Sequence, residues 1–487
     1  MRQQQKDGVS KNFAYQFIYQ FVILVIPLVV SPYLTRVVGS KELGAYTFVN
    51  SITTYFIMFA NLGIAKYGQR TIARSAHEPE QLRRSFWSLF TVHAIVSVIT
   101  ILLYYVFAVC FVNESKAIYY IQGLRIIAAL FDLTWFFYGI ESFKSVVIRN
   151  TVARVLETLL VFIFVKKPAD TIYLSTIYSV GSLISQLVMI PLVLRIAPPI
   201  RIKRNETTAH IKPLFVFAIS VIAVSLYTVF DKILLGWLTV KDNVAYYEYA
   251  DRIISLPRTF IVVIGTVMFP RACSLAAKGD YTGQKRYLHY SLVYTYFIGF
   301  AALFGFLSIS EKLAYVYYGP GFAESGRIMI AMCALPVIVG LGDIIRTQYM
   351  IPNGLDKQYI ICILANAGIN LVLSTSLIPI IGIYGAVVGT CSAELFGCIY
   401  QLIVCKKYIS ARSILQTSVP FVIIGGIMFA VIKFVSLFTT PLTWISLLIE
   451  IGVGAFVYII LSGIYIYFRE NDLWIEVTKR IPFLNRI

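Results

Sequence analysis

Charge is scarce in this chain. Only 14% of its 487 residues are Asp, Glu, Lys or Arg, against about 25% in a typical soluble domain. Histidine is scarcer still, with 4 residues, and none neighbours a cysteine or another histidine. The 7 cysteines form no CxxC pair and mostly lie within apolar runs. These shortages exclude a large soluble protein, a disulfide scaffold and a clustered metal site. Cys391, Cys398 and Cys405 recur every seven residues and share a helix face, where small buried filler is their expected role. What the sequence has instead is apolar surface: 58% hydrophobic residues and a mean hydropathy of +0.77. Its 33 Tyr and 34 Phe suit a body bathed in lipid with many interfacial anchors. Disorder, collagen and coiled coil are excluded as well. The composition is that of a polytopic membrane protein.

A hydrocarbon core about 30 Å thick needs roughly 20 apolar residues per helix. Fourteen stretches qualify, near 12–38, 44–66, 85–112, 117–138, 145–165, 172–194, 211–236, 243–268, 287–309, 325–346, 358–379, 383–405, 417–438 and 442–468. The first is too long for a cleaved signal peptide, and no small-x-small site follows it. The 42 Lys and Arg outnumber the 24 Asp and Glu, for a net charge of +18. Their positions explain the excess. Segments on the N-terminal side of the membrane hold 28, opposite segments hold 7, and the remaining 7 fall inside spans. This asymmetry predicts cytoplasmic termini and an even number of helices. It assigns the basic excess to lipid headgroups and cytosol, not to nucleic acid.

The first and seventh spans begin 199 residues apart, and Ala45-Tyr46 is matched by Ala245-Tyr246. Six helices per unit gives two parallel repeats. The expected architecture is therefore all-α, with lobes at 1–200 and 201–410 and two further helices within 411–487. Exterior loops are short, too short to display an active site, so no catalytic residue, cofactor or metal is expected.

The chemistry left to read lies in the spans. An ionisable group at membrane depth costs at least about 2.5–3.5 kcal/mol and is a functional candidate by default. Arg125 and Asp132 lie seven apart in the fourth span, and Arg154 and Glu157 three apart in the fifth. Each pair shares a helix face, as a clamp between packed helices or as part of a cavity. The eighth span holds Asp251, Arg252 and Arg258. Arg258 shares a face with Asp251, which leaves Arg252 as the freer cation. Asp343 and Glu394 stand in the tenth and twelfth spans. Guanidinium groups in a wet cavity suit a diphosphate, which they bind bidentately. Asn50 and the other amides at span depth suit sugar hydroxyls.

Beginning at Ser31-Pro32-Tyr33-Leu34-Thr35-Arg36-Val37-Val38-Gly39, followed by Glu42-Leu43-Gly44-Ala45-Tyr46, the sequence resembles the Wzx-type polysaccharide repeat-unit flippases. These belong to the superfamily of multidrug, oligosaccharidyl-lipid and polysaccharide exporters. The likeness continues at Tyr67-Gly68-Gln69-Arg70, at Asp132 through Glu141, and at Val165 through Asp170. In the second half it is carried by Leu256-Pro257, Phe269-Pro270-Arg271, Gly319-Pro320-Gly321-Phe322 and Ile380 through Ala386.

The resemblance implies two six-helix lobes around a central cavity and two further helices. It also implies export of an undecaprenyl-diphosphate-linked oligosaccharide across a bacterial cell membrane. Lipid II flippases of the superfamily place arginines on spans 1, 2 and 8. Here span 8 supplies Arg252 and Arg258, span 1 offers Arg36 near its outer end, and Arg125 and Arg154 are the replacements. Coupling to Na+ or H+ would fall to Asp132, Glu157, Asp251, Asp343 or Glu394. Polymerases and glycosyltransferases are the implied partners. The rivals are a cation-coupled drug exporter, whose cavity would hold more acid than base, and a polysaccharide polymerase, which the short exterior loops disfavour.

Overall fold

The structure, a computed structural model, describes residues 22–440 and 442–470. The first ten residues of the first expected span and the basic residues of both chain ends lie outside them. Every described element is helical, and no strand occurs among the described residues.

The chain opens with α1 (Val22–Val37). It continues through α2 (Ser40–Asn61), α3 (Ile64–Ser75), α4 (Pro79–Cys110), α5 (Lys116–Leu130), α6 (Thr134–Gly139), α7 (Phe143–Phe164), α8 (Thr171–Leu187) and α9 (Ile190–Ile196). The short α10 (Arg204–Thr208) leads to α11 (Ile211–Thr228) and α12 (Phe230–Leu238). Then follow α13 (Lys241–Ala277), α14 (Tyr281–Leu313), α15 (Ala323–Met332), α16 (Leu335–Ile345), α17 (Asp356–Ile381), α18 (Ile383–Val404), α19 (Ala411–Ser436) and α20 (Trp444–Arg469).

Ten described helices are long and apolar enough to cross a membrane, or eleven with one bent pair. The expected number of fourteen is thus not reached by length and hydropathy alone, although helix occupies the described part of each expected stretch. Part of the shortfall has physical causes. In α7, Lys144, Arg149, Arg154 and Glu157 interrupt the apolar run. The tenth span bends by 45° between Met332 and Leu335, where Pro336 stands in the first turn of α16 and removes a backbone donor.

Contacts divide the chain into two compact units, Met1–Ala245 and Tyr246–Ile487. In the first, the core is aromatic. Trp135, Phe136 and Phe137 are nearly fully buried, and Phe86 stacks on Trp135 with ring centres 5.6 Å apart. The motif from Asp132 to Glu141 is therefore a packing device. Gly63 has a left-handed φ of +72°, and a Cβ there would lie 2.7 Å from the backbone nitrogen of Ala218. Glycine lets the turn between α2 and α3 press against α11. In the second unit, Leu292, Tyr296 and Phe300 of α14 join Phe421 and Met428 of α19 and Tyr458 of α20 in one core. The last two helices are fastened to α14. Outward faces are apolar, as at Leu102, Leu103, Val106 and Val109 of α4, all more than half exposed. This is the surface expected against lipid tails.

Candidate functional site

In the first unit, Arg125 of α5 donates to the side-chain oxygen of Asn50 on α2. Among the described residues Arg125 makes no ion pair, but its charge acts on Glu157 of α7. Glu157 is buried and takes a hydrogen bond from Arg154 at 3.1 Å. Gly181 of α8 makes room for this carboxylate, since a Cβ there would lie 2.6 Å from Glu157 Oε1. Arg125, Arg154 and Glu157 are thus gathered from α5 and α7, with Asn50 added from α2.

Asp132 is not part of that group. The fourth span breaks after Leu130, so the seven-residue spacing no longer puts Asp132 on the face of Arg125. Its Oδ1 instead accepts the backbone N–H of Thr134 at 3.0 Å and starts α6. Short polar side chains at such breaks replace the missing backbone partner. The expected Arg125–Asp132 clamp does not form. Arg149 of α7 is also buried. It donates to Gln186 at 2.8 Å, Asn150 at 2.7 Å and Thr134 at 3.2 Å. Polar residues on three different helices are a signal that single-helix spacing does not carry. Arg36 lies exposed at the end of α1 and donates to the carbonyl of Pro32 at 2.9 Å.

In the second unit, Arg252 donates to Glu248 at 2.9 Å and sits 4.8 Å from the ring centre of Tyr249. The expectation that Arg252 is the freer cation is overturned. Glu248 stands one turn earlier on the same face of α13. Arg258 and Asp251 do face each other, at 4.0 Å. On α16 and the turn after it, Asp343 accepts from Arg346. Asp343 is 4% exposed. Its Oδ2 has no hydrogen-bond partner among the described residues. Gly265 of α13 lies against that oxygen, with room for no Cβ. Glu394 of α18 feels Arg258 and Arg346 as its nearby opposite charges. Asp251, Arg258, Asp343, Arg346 and Glu394 therefore belong to one electrostatic neighbourhood.

Two further acids are buried. Asp231 of α12 is 2% exposed. Glu450 of α20 is equally buried and accepts from Lys312 at 2.5 Å and from Thr439 at 2.9 Å. Among the described residues, no three His, Cys, Asp or Glu side chains are grouped to hold a metal ion.

The described residues form an all-helical multi-pass body with arginines and carboxylates inside its units. The solved structures it resembles share that frame. "Lipid II flippase MurJ, inward closed conformation" matches with a TM-score of 0.71 over 94% of this chain and 98% of the other, at 18% identity. An inward-facing multidrug resistance MATE family transporter of the MOP superfamily matches with a TM-score of 0.60 over 80% of this chain and 95% of the other, at 14% identity. These likenesses establish the fold. Residues 9–275 match the polysaccharide biosynthesis protein family, and the chain belongs to it. Two curated relatives bear the description "Putative O-antigen transporter". The one from Shigella dysenteriae is 25% identical over 398 residues, covering 81% of this chain and 99% of its own. The one from Escherichia coli (strain K12) is 22% identical and covers 80% and 94%.

Proposed function

We propose that this transporter flips an undecaprenyl-diphosphate-linked oligosaccharide from the cytoplasmic to the outer leaflet of a bacterial inner membrane, for cell-surface polysaccharide synthesis. The observation that carries the reading is the match to the Shigella relative across 99% of that relative's length. Both termini are cytoplasmic in this reading, and the lobes at 1–200 and 201–410 alternate in access. The substrate is an anion, and an inside-negative potential favours its outward movement by about 2.3 kcal/mol per charge per 100 mV.

The side chains refine which groups meet it. A diphosphate needs uncompensated guanidinium. Arg125, held by a neutral amide, and Arg154, half-exposed beside Glu157, supply more base than acid. We assign the diphosphate to this pair before Arg252, Arg258 or Arg36. Coupling to Na+ or H+ is assigned to Asp343 and Glu394, where carboxylates balance or exceed arginines. Asp132, Asp251 and Glu157 are tied into a turn or ion pairs and take positioning roles. Polymerase and glycosyltransferase partners would supply and consume the substrate.

The test is reconstitution into vesicles with a labelled undecaprenyl-diphosphate oligosaccharide. The label is expected to change leaflet and stay chemically intact. Polymerised glycan made by the protein alone would establish the polymerase reading. Movement of organic cations without movement of the lipid would establish the drug exporter. Sidedness is tested separately, by placing a single cysteine at Lys167 in a Cys-free background. Impermeant reagent should label it in intact cells, and labelling only after permeabilisation would overturn the orientation.

A further inference from the structure

A groove of about 500 Å³ lies in the first unit between α4, α10 and α11. Its walls are apolar: Val92, Ile95 and Val96 come from α4, and Ile211 and Phe215 from α11. Ile95, Ile211 and Phe215 are each 40–54% exposed, so the groove opens on the outward face of the helices. At its rim stands Arg204, the first residue of α10. Arg204 is exposed and makes no ion pair among the described residues.

The acid nearest in sequence is already engaged. Glu206 accepts the backbone N–H of Lys203 at 2.9 Å and pairs with Arg84 at 3.3 Å. That backbone bond, ahead of the Arg84 charge, holds its carboxyl below the usual range. Arg201, Lys203 and Lys212 stand in the same stretch of chain with no acid but Glu206 among them. The local field at the rim is therefore positive, next to a slot that water would fill poorly.

We propose that this groove is a binding site for an anionic phospholipid of the adjoining leaflet, with one acyl chain along α4 and α11 and its phosphate on Arg204. Charge complementarity selects the headgroup, and basic pockets between helices are known to take anionic lipids in this way. Mass action selects the source. Phospholipid is the solvent of the membrane, whereas a lipid-linked sugar is a minor component, so a resident lipid fills the groove first. The occupant would brace α10, the connector between α9 and α11. The inference stands apart from the proposed substrate.

The experiment counts bound lipids on the full-length protein by native mass spectrometry, titrating phosphatidylglycerol against phosphatidylethanolamine. The wild type is expected to prefer phosphatidylglycerol by about fivefold, the contribution of one Arg near an anionic surface. Arg204→Gln should remove the preference and keep the weaker background binding. Ile95→Trp, which fills the groove and leaves the charge in place, should reduce binding of both lipids. Arg271→Gln, in the second unit, should behave as wild type. An unchanged preference in Arg204→Gln overturns the site. Displacement of phosphatidylglycerol by equimolar undecaprenyl diphosphate would assign the groove to the transported lipid instead.

Discussion

The two units bury their charges in opposite ways. In the second, arginines are answered by carboxylates of their own helix or turn: Arg252 by Glu248, Arg258 by Asp251 and Arg346 by Asp343. Each pair neutralises itself locally, and Glu394 adds a further acid. In the first, Arg125 reaches across to an amide on another helix, and a single Glu157 serves both it and Arg154. An amide satisfies the hydrogen-bonding capacity of a guanidinium without cancelling its charge. In the proposed reading, the half that keeps uncancelled positive charge takes the anion, while the balanced half suits a small cation or a structural clamp.

The sharpest way to break this comparison is Arg125→Ala. Transport, read as surface glycan per unit of protein in the membrane, is expected to fall about tenfold to hundredfold, the worth of a charge-assisted contact of 1.5–3 kcal/mol. Arg125→Lys should recover part of the loss, because ammonium keeps the charge without the planar fork. Wild-type output from Arg125→Ala would erase the proposed asymmetry and return the diphosphate to the second unit.

A smaller effect is expected at Gly181. Its added methyl in Gly181→Ala would strike Glu157, and overpacking of this kind costs about 1–3 kcal/mol. The loss should appear as a lower thermal midpoint. Glu157→Gln should keep both fold and amount, and should raise affinity for the anion by removing the single acid beside two arginines.

In the second unit the reverse test applies. Arg252→Ala alone removes the guanidinium paired with Glu248, and transport and stability should both fall. Removing both charges, as in Arg252→Met with Glu248→Gln, should restore most of the loss, with a coupling of about 0.5–3 kcal/mol. Additive losses would mean that Arg252 binds something other than Glu248 in the working protein.

Much of this was legible in the sequence for one reason. Burial in lipid is a composition rule, so hydropathy exposes helices and basic loops together. The same rule is blind to interruptions. The break between α5 and α6 is set by Asp132 capping Thr134, a local polar contact that hydropathy does not register. Spacing along one helix found Arg154–Glu157 and Arg258–Asp251, because an ion pair within a helix is a property of the sequence. It could not find Arg125–Asn50 or Lys312–Glu450, whose partners lie 75 and 138 residues apart. Those depend on which helices become neighbours. The Arg252–Glu248 pair was within reach of the spacing rule, and the nearer Asp251 obscured it.

The smallest expected effect concerns one histidine of the first unit and is read by pH. His210, just ahead of α11, lies between the hydroxyls of Tyr67 at 2.8 Å and Ser88 at 3.1 Å. Burial pushes its imidazole below the ordinary value of 6.5, so the neutral ring is the form that fits. His289 of α14 instead faces the Glu470 carboxylate at 2.9 Å. For His210 the sign follows from linkage. Because its pKa is lower folded than unfolded, the unfolded chain binds the extra proton first. Its contribution is intact above pH 6.5 and declines as the pH falls below that value toward the depressed folded pKa. Acidification from pH 7.5 to 5.5 should therefore loosen the Tyr67–His210–Ser88 clasp. Hydrogen exchange resolved by peptide is the measurement, with faster exchange expected over 204–214 once intrinsic rates are corrected. His210→Gln, which keeps hydrogen bonding but cannot titrate, should abolish the pH response in the first unit and leave the second unchanged. A pH response that survives in His210→Gln would place the sensitive group elsewhere in that unit.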